Sequence, residues 1–156
     1  MRCSRAWRVA LVIVFASAVF PRPAAAICVV FPWEQTLARD TTVAIFSGSV
    51  EHIDTVGAGQ IVTFVVDRVW KGQVRQRTII YNAQSPGATE QITLVPRMRY
   101  FVMAYHPVPS ERAAFGLSPE GGDFLATNFC GTHEFGRFPD AKFQEDLSRA
   151  RSYPPR

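Results

Sequence analysis

The chain has 156 residues, 47% of them hydrophobic, with 17 Lys and Arg against 13 Asp and Glu and a formal net charge of +4. Four of the basic residues, Arg2, Arg5, Arg8 and Arg22, fall in residues 1–26 with no acid beside them, which leaves 13 of each sign in the rest. A nucleic-acid or anionic-membrane partner needs a clustered basic field, and the balanced remainder argues against either.

Residues 1–26 read as a secretory signal. Three arginines open the segment, Val9 to Phe20 is an apolar run without a charge, and Ala24 and Ala26 stand at the small-residue positions of a cleavage site. The run is well short of the roughly 20 apolar residues of a membrane span. Cys28 invites a lipoprotein reading, but Ile27 is a poor residue to precede a lipidated cysteine. Cleavage after Ala26 is therefore expected, with an extracytoplasmic chain (periplasmic or secreted) beginning at Ile27 and carrying no transmembrane anchor. Cys3 leaves with the signal. Cys28 and Cys130 remain, and an even pair in an oxidising compartment reads as a disulfide; two unpaired buried thiols are the alternative.

The remaining length suits one domain, and period-two alternation outweighs helical periodicity. A short helix is predicted around Trp33–Asp40. Thr41–Ile53 reads as a strand with a bulge or bend at Gly48. Val56–Gly59 is a turn. Gln60–Trp70 is the clearest strand, with Val62, Phe64 and Val66 on one face; Gly72 ends it at positive φ. Gln76–Ala83 gives a third strand. Gln91–Pro96 reads as a short strand or an extended connection. Arg97–Pro107 is the next strand, Ser110–Gly122 a loop with one turn of helix, and Asp123–Cys130 the last strand. Phe138–Tyr153 reads as a helix, with Phe143 and Leu147 at i, i+4. Five short strands with a Greek-key closure make an OB-fold barrel; a small sandwich fits the same pattern.

Little catalytic chemistry is legible. The three histidines are His52, His106 and His133. Cys130–His133 with Glu134 has a zinc-like spacing, but zinc takes three or four ligands and Cys130 is better used in a disulfide, so no metal and no cofactor are assigned. No G-x-S-x-G elbow is present, Ser47–Ser49 reads as barrel curvature, and Gly57–Gly59 lacks the lysine and helix of a phosphate loop. Trp70 reads as packing rather than as a stacking platform. The opening stretch, Ile27, Cys28, Val29, Val30 and Phe31, is apolar and stands beside a cysteine. It suits a ridge inserted into a partner's cleft, or, with Trp33, a cover for the barrel's open side.

Phe46-x-Gly48-x-Val50, Val69-Trp70-Lys71-Gly72, Tyr100-Phe101-Val102-Met103-Ala104 and Leu125-x-Thr127-x-x-Cys130 occur in that order over residues 28–133. In this the chain resembles the tissue inhibitors of metalloproteinases and the related netrin-type modules. The resemblance implies an OB-type barrel over residues 27–136, a C-terminal helix and tail over 137–156, and a Cys28–Cys130 bond tying the leading segment to the last strand. It implies a non-catalytic module with a protein partner, a metalloprotease being the class the family binds. The family starts with C-x-C, whose first cysteine chelates the protease zinc. Here Cys28 matches the second cysteine, Ala26 stands where the first would be, and the family's "C-G" before the Tyr100 strand is absent. A cell-envelope assembly domain and a secreted hydrolase with an unrecognised carboxylate or histidine site are the alternatives in function. A pocket gathering histidines with acids would favour the hydrolase, and a filled barrel would favour binding.

Overall fold

The computed structural model describes residues 28, 31–56, 59–83, 92–114, 116, 124–128, 130–138 and 141–156. In chain order these form α1 (Trp33–Ala38), β1 (Ala44–Val56), β2 (Gly59–Lys71), β3 (Arg77–Ala83), β4 (Arg99–Ala104), α2 (Pro109–Ala114), β5 (Leu125–Thr127), β6 (Thr132–Glu134) and α3 (Ala141–Arg149). The protein is mainly β. The strands make one sheet in the order β5-β3-β2-β1-β4-β6, with β5 parallel to β3 and every other neighbour antiparallel. Past the end of β4, Tyr105 and Ala126 exchange two backbone hydrogen bonds of 2.9 and 2.8 Å, so the sheet curls into a half-barrel.

That curl needs β1 to bend while serving both β2 and β4. Gly48 is where it bends: the register with β2 shifts between Ser47 and Gly48. A Cβ there would lie 2.7 Å from the Val65 carbonyl oxygen, so only glycine lets the two backbones approach. Gly72, at φ 77°, turns the chain out of β2 as its position predicted.

Two apolar layers follow from the alternation. Phe46, Val50, Val62, Phe64, Ile80 and Val102 fill the concave side, with Phe46 and Phe64 edge-to-face at 5.7 Å. Ile45 and Phe101 point the other way and meet Trp33 of α1, Trp70, and Phe143 and Leu147 of α3. This second layer explains why β1 is apolar on both faces: its inner side lines the half-barrel and its outer side is covered by helices. Between the layers' edges, Ser47 donates to Asp67 Oδ1 (2.5 Å), and Arg99 Nε pairs with Asp67 Oδ2 (2.7 Å) while its guanidinium rests 3.6 Å from the Phe135 ring centroid. The network joins β1, β2 and β4 through side chains. Ser47 is buried and committed to it, in keeping with a structural reading of the Ser47–Ser49 stretch.

Several sequence expectations are corrected. The described residues hold six strands instead of five: β6 pairs Tyr100–Glu134, Phe101–His133 and Val102–Thr132 in a stretch to which the sequence assigned no element. Three residues are too few to show an alternation. The last predicted strand, Asp123–Cys130, shortens to Leu125–Thr127, because Asn128 Oδ1 accepts the backbone N–H groups of Cys130 (3.0 Å) and Gly131 (3.1 Å) and turns the chain. Of the two readings of the Gln91–Pro96 stretch, its described part, Ile92–Val95, takes the extended connection. It ends in a tight turn at Pro96–Arg97, with Arg97 at φ 68°. The tail beyond α3 returns to the sheet, where Tyr153 exchanges backbone hydrogen bonds with Val69 and Arg156 bonds Val74 and Gln76. Among the described residues no helix is long and apolar enough to cross a membrane.

Candidate functional site

The leading segment is held from three sides. Cys28 is bonded to Cys130 across a Cα–Cα distance of 5.3 Å. Trp33 is buried against Trp70, Phe101 and Phe143, with ring centroids 5.6 to 6.4 Å away. Lys71, at the end of β2, donates Nζ hydrogen bonds of 2.7 Å to the carbonyls of Leu37 and Arg39. Those carbonyls close α1, whose last turn has no cation of its own. A lysine there satisfies oxygens that the helix cannot. At the other end, the Thr36 hydroxyl lies 3.3 and 3.2 Å from the carbonyls of Phe31 and Pro32 and is shared between them.

These constraints frame a cleft of about 500 Å³ next to the disulfide. Cys28, Phe31, Arg39, Met103, Tyr105, Val108, Glu111, His133 and Phe138 are among the residues that line it. The Arg39 guanidinium carbon lies 3.9 Å from the Phe31 ring centroid. Also in the lining, the Val108 N–H donates to Glu111 Oε2 at 3.1 Å, fixing the start of α2. His106, on the rim, has Nδ1 3.2 Å from the Phe124 carbonyl oxygen.

No family model, curated protein or solved structure matches the chain. The site is therefore read from its own atoms.

Burial pushes two of its titrating groups. Tyr105 is raised above its ordinary value by desolvation and then by the nearby Glu111 charge. His133 is lowered by desolvation, only partly offset by its hydrogen bond to the Cys130 backbone. An unfolded histidine titrates near 6.5, so the native chain binds fewer protons than the unfolded one just below that pH. The stability His133 contributes is present above 6.5 and drains as pH falls towards its lower native value. We expect urea midpoints to drop between about pH 7 and pH 5, and His133→Gln to drop less over the same range. An equal slope in the two proteins would remove His133 as the cause.

Of the ridge residues, Cys28 and Phe31 line the cleft, while Ile27, Val29 and Val30 lie outside the described residues. Trp33 does not cover the open side of the half-barrel; it is part of the layer under α1 and α3. Trp70 is buried in the same layer, as packing predicted. His52 stands apart on β1, with Nε2 3.0 Å from Asp54 Oδ1. His106 and His133 do share the cleft with Glu111, and Cys130 is there as half of the disulfide. Among the described residues no three His, Cys, Asp or Glu side chains are placed to hold a metal. Arg39, Tyr105 and Glu111 were not singled out in the sequence. They come from α1's end, β4's end and α2, and no local pattern links them.

Proposed function

We propose that the chain is an exported, non-catalytic protein-binding module, built on an OB-type barrel like that of the tissue inhibitors of metalloproteinases, and that its leading segment is the docking element. One observation carries this reading: the Cys28–Cys130 bond clamps the segment to the turn after β5, beside an apolar cleft. A terminus held in this way loses little conformational freedom on binding, which favours affinity. The pairing of β5 parallel to β3, with Tyr105 and Ala126 linking β4 to β5, supports the barrel type. The concave layer is filled by side chains, which supports binding over catalysis. The signal-like start and the disulfide together support export.

A metalloprotease is the partner class to test first. With no cysteine at Ala26 the family's chelating start is missing, so the apolar side chains around Cys28 would carry the contact in place of zinc chelation. We expect the oxidised protein, recovered from an exporting host, to bind and inhibit at least one zinc protease of a broad panel. Phe31→Asp should weaken that inhibition about tenfold or more, the size of a lost interface anchor. A panel that is neither bound nor inhibited would end the inhibitory reading.

A second reading, a secreted hydrolase, draws on His106, His133 and Glu111 sharing one cleft. It is the weaker one because Glu111 is engaged by the Val108 N–H and both histidines contact backbone, so no base and orienting acid are joined. Turnover of ester or peptide substrates that His133→Gln abolishes would reverse the order.

A further inference from the structure

The cleft beside the disulfide is walled largely by carbon, from Phe31, Met103, Val108, Phe138 and Phe143. Its volume of about 500 Å³ lies within the roughly 300–1,000 Å³ of pockets that hold one small ligand. Two formal charges reach it, and they are in different states. Glu111 is engaged, accepting from the Val108 N–H at the start of α2. Arg39 has no carboxylate partner among the described residues, and its guanidinium rests on the Phe31 ring. Contact with a ring takes up one face of a guanidinium and leaves its in-plane N–H donors, the ones that fit a carboxylate in a fork.

We propose that this cleft binds an apolar monocarboxylate, a small molecule with a hydrocarbon body and a single carboxylate, with Arg39 as the anchor for the charge. The charge balance selects the class. The in-plane donors of Arg39 meet one carboxylate, whereas a phosphate or a dicarboxylate would set further negative charge beside Glu111. The hydrocarbon body lies against Met103 and the two phenylalanines of the 138–143 stretch, where burying apolar surface is favourable. Burial of the His133 imidazole disfavours its charged form there. This site does not depend on the protein-binding reading.

Decanoate is a suitable probe, titrated into the full exported protein and followed by calorimetry and by amide NMR shifts. We expect saturable binding with the largest shifts at Thr41, Thr42 and Gly131 around the cleft. Arg39→Gln should weaken decanoate about tenfold, the worth of a charge-assisted fork, and Arg39→Lys should fall between. Decanol, which has the chain without the charge, should bind the protein and Arg39→Gln alike. Arg39 is exposed, so both variants should unfold at the wild-type urea concentration. Equal decanoate affinity in wild type and Arg39→Gln, shifts centred away from the cleft, or no binding at all would each overturn the proposal. Retained protease binding alongside any of these results would leave the module reading intact.

Discussion

Cys130→Ser should lower the unfolding free energy by about 2–5 kcal/mol, the usual loss when a native disulfide is taken from a small domain. The bond closes a separation of 102 residues, and for a loop near 100 the chain-entropy estimate is about 4.7 kcal/mol. The measured figure should sit below that, because an unfolded chain keeps some structure. Cys28→Ser should cost the same within a few tenths of a kcal/mol, and the double variant should cost no more than either single one. That non-additivity distinguishes a lost cross-link from two lost side chains. Urea unfolding followed by the fluorescence of Trp33 and Trp70, both buried in the outer layer, reads all three. A midpoint unmoved in Cys130→Ser, or insensitive to reductant in the wild type, would show that the staple is not what holds the leading segment. Protease binding measured on the folded variant then separates anchoring from stability.

How far the sequence reached depends on the range over which each feature is encoded. β2 was legible almost to the residue because Val62, Phe64 and Val66 alternate with polar or half-exposed neighbours and Gly72 ends the run. The Phe143–Leu147 pair foretold the buried stripe of α3, and the disulfide followed from compartment and parity. β6 was not legible, since three residues acquire strand geometry only by pairing with β4. Nor was the return of the tail, because Pro154 and Pro155 read as an ending while the Tyr153 and Arg156 backbones on either side of them bond the sheet. The cleft was the least legible feature. Phe31 and Arg39 meet only because α1 lies between them, and Val108 and Glu111 join them in the lining only after β4 has paired with β1. The strand motifs suggested a barrel, but they are spaced along strands and said nothing about which loops would enclose a volume.

Phe101→Ala is expected to be among the costliest core substitutions, about 3–5 kcal/mol for the cavity and lost transfer energy. Its ring has no exposed surface and meets Trp33 at 6.4 Å, Trp70 at 5.7 Å, Phe138 at 5.3 Å and Phe143 at 5.7 Å between centroids. Those neighbours belong to α1, β2, the link before α3 and α3 itself, so one side chain on β4 joins both helices of the outer layer to the sheet. The helices it holds have 6 and 9 residues, well below the length at which an isolated helix persists in water. Removing the ring should therefore loosen them as well as leave a hole. Phe46→Ala makes the control: Phe46 is equally buried, but on the concave side against Phe64, where strands already hydrogen-bonded on both edges surround it. Both variants should lose comparable free energy, yet only Phe101→Ala should speed amide exchange in 141–149 and reduce the urea m-value, because the native state itself then exposes more surface. Protected α3 amides in Phe101→Ala would mean that the helix is held by its other contacts, Trp33 with Phe143 chief among them. The cleft lining, which shares Phe138 and Phe143 with this layer, would then keep its shape without the Phe101 ring.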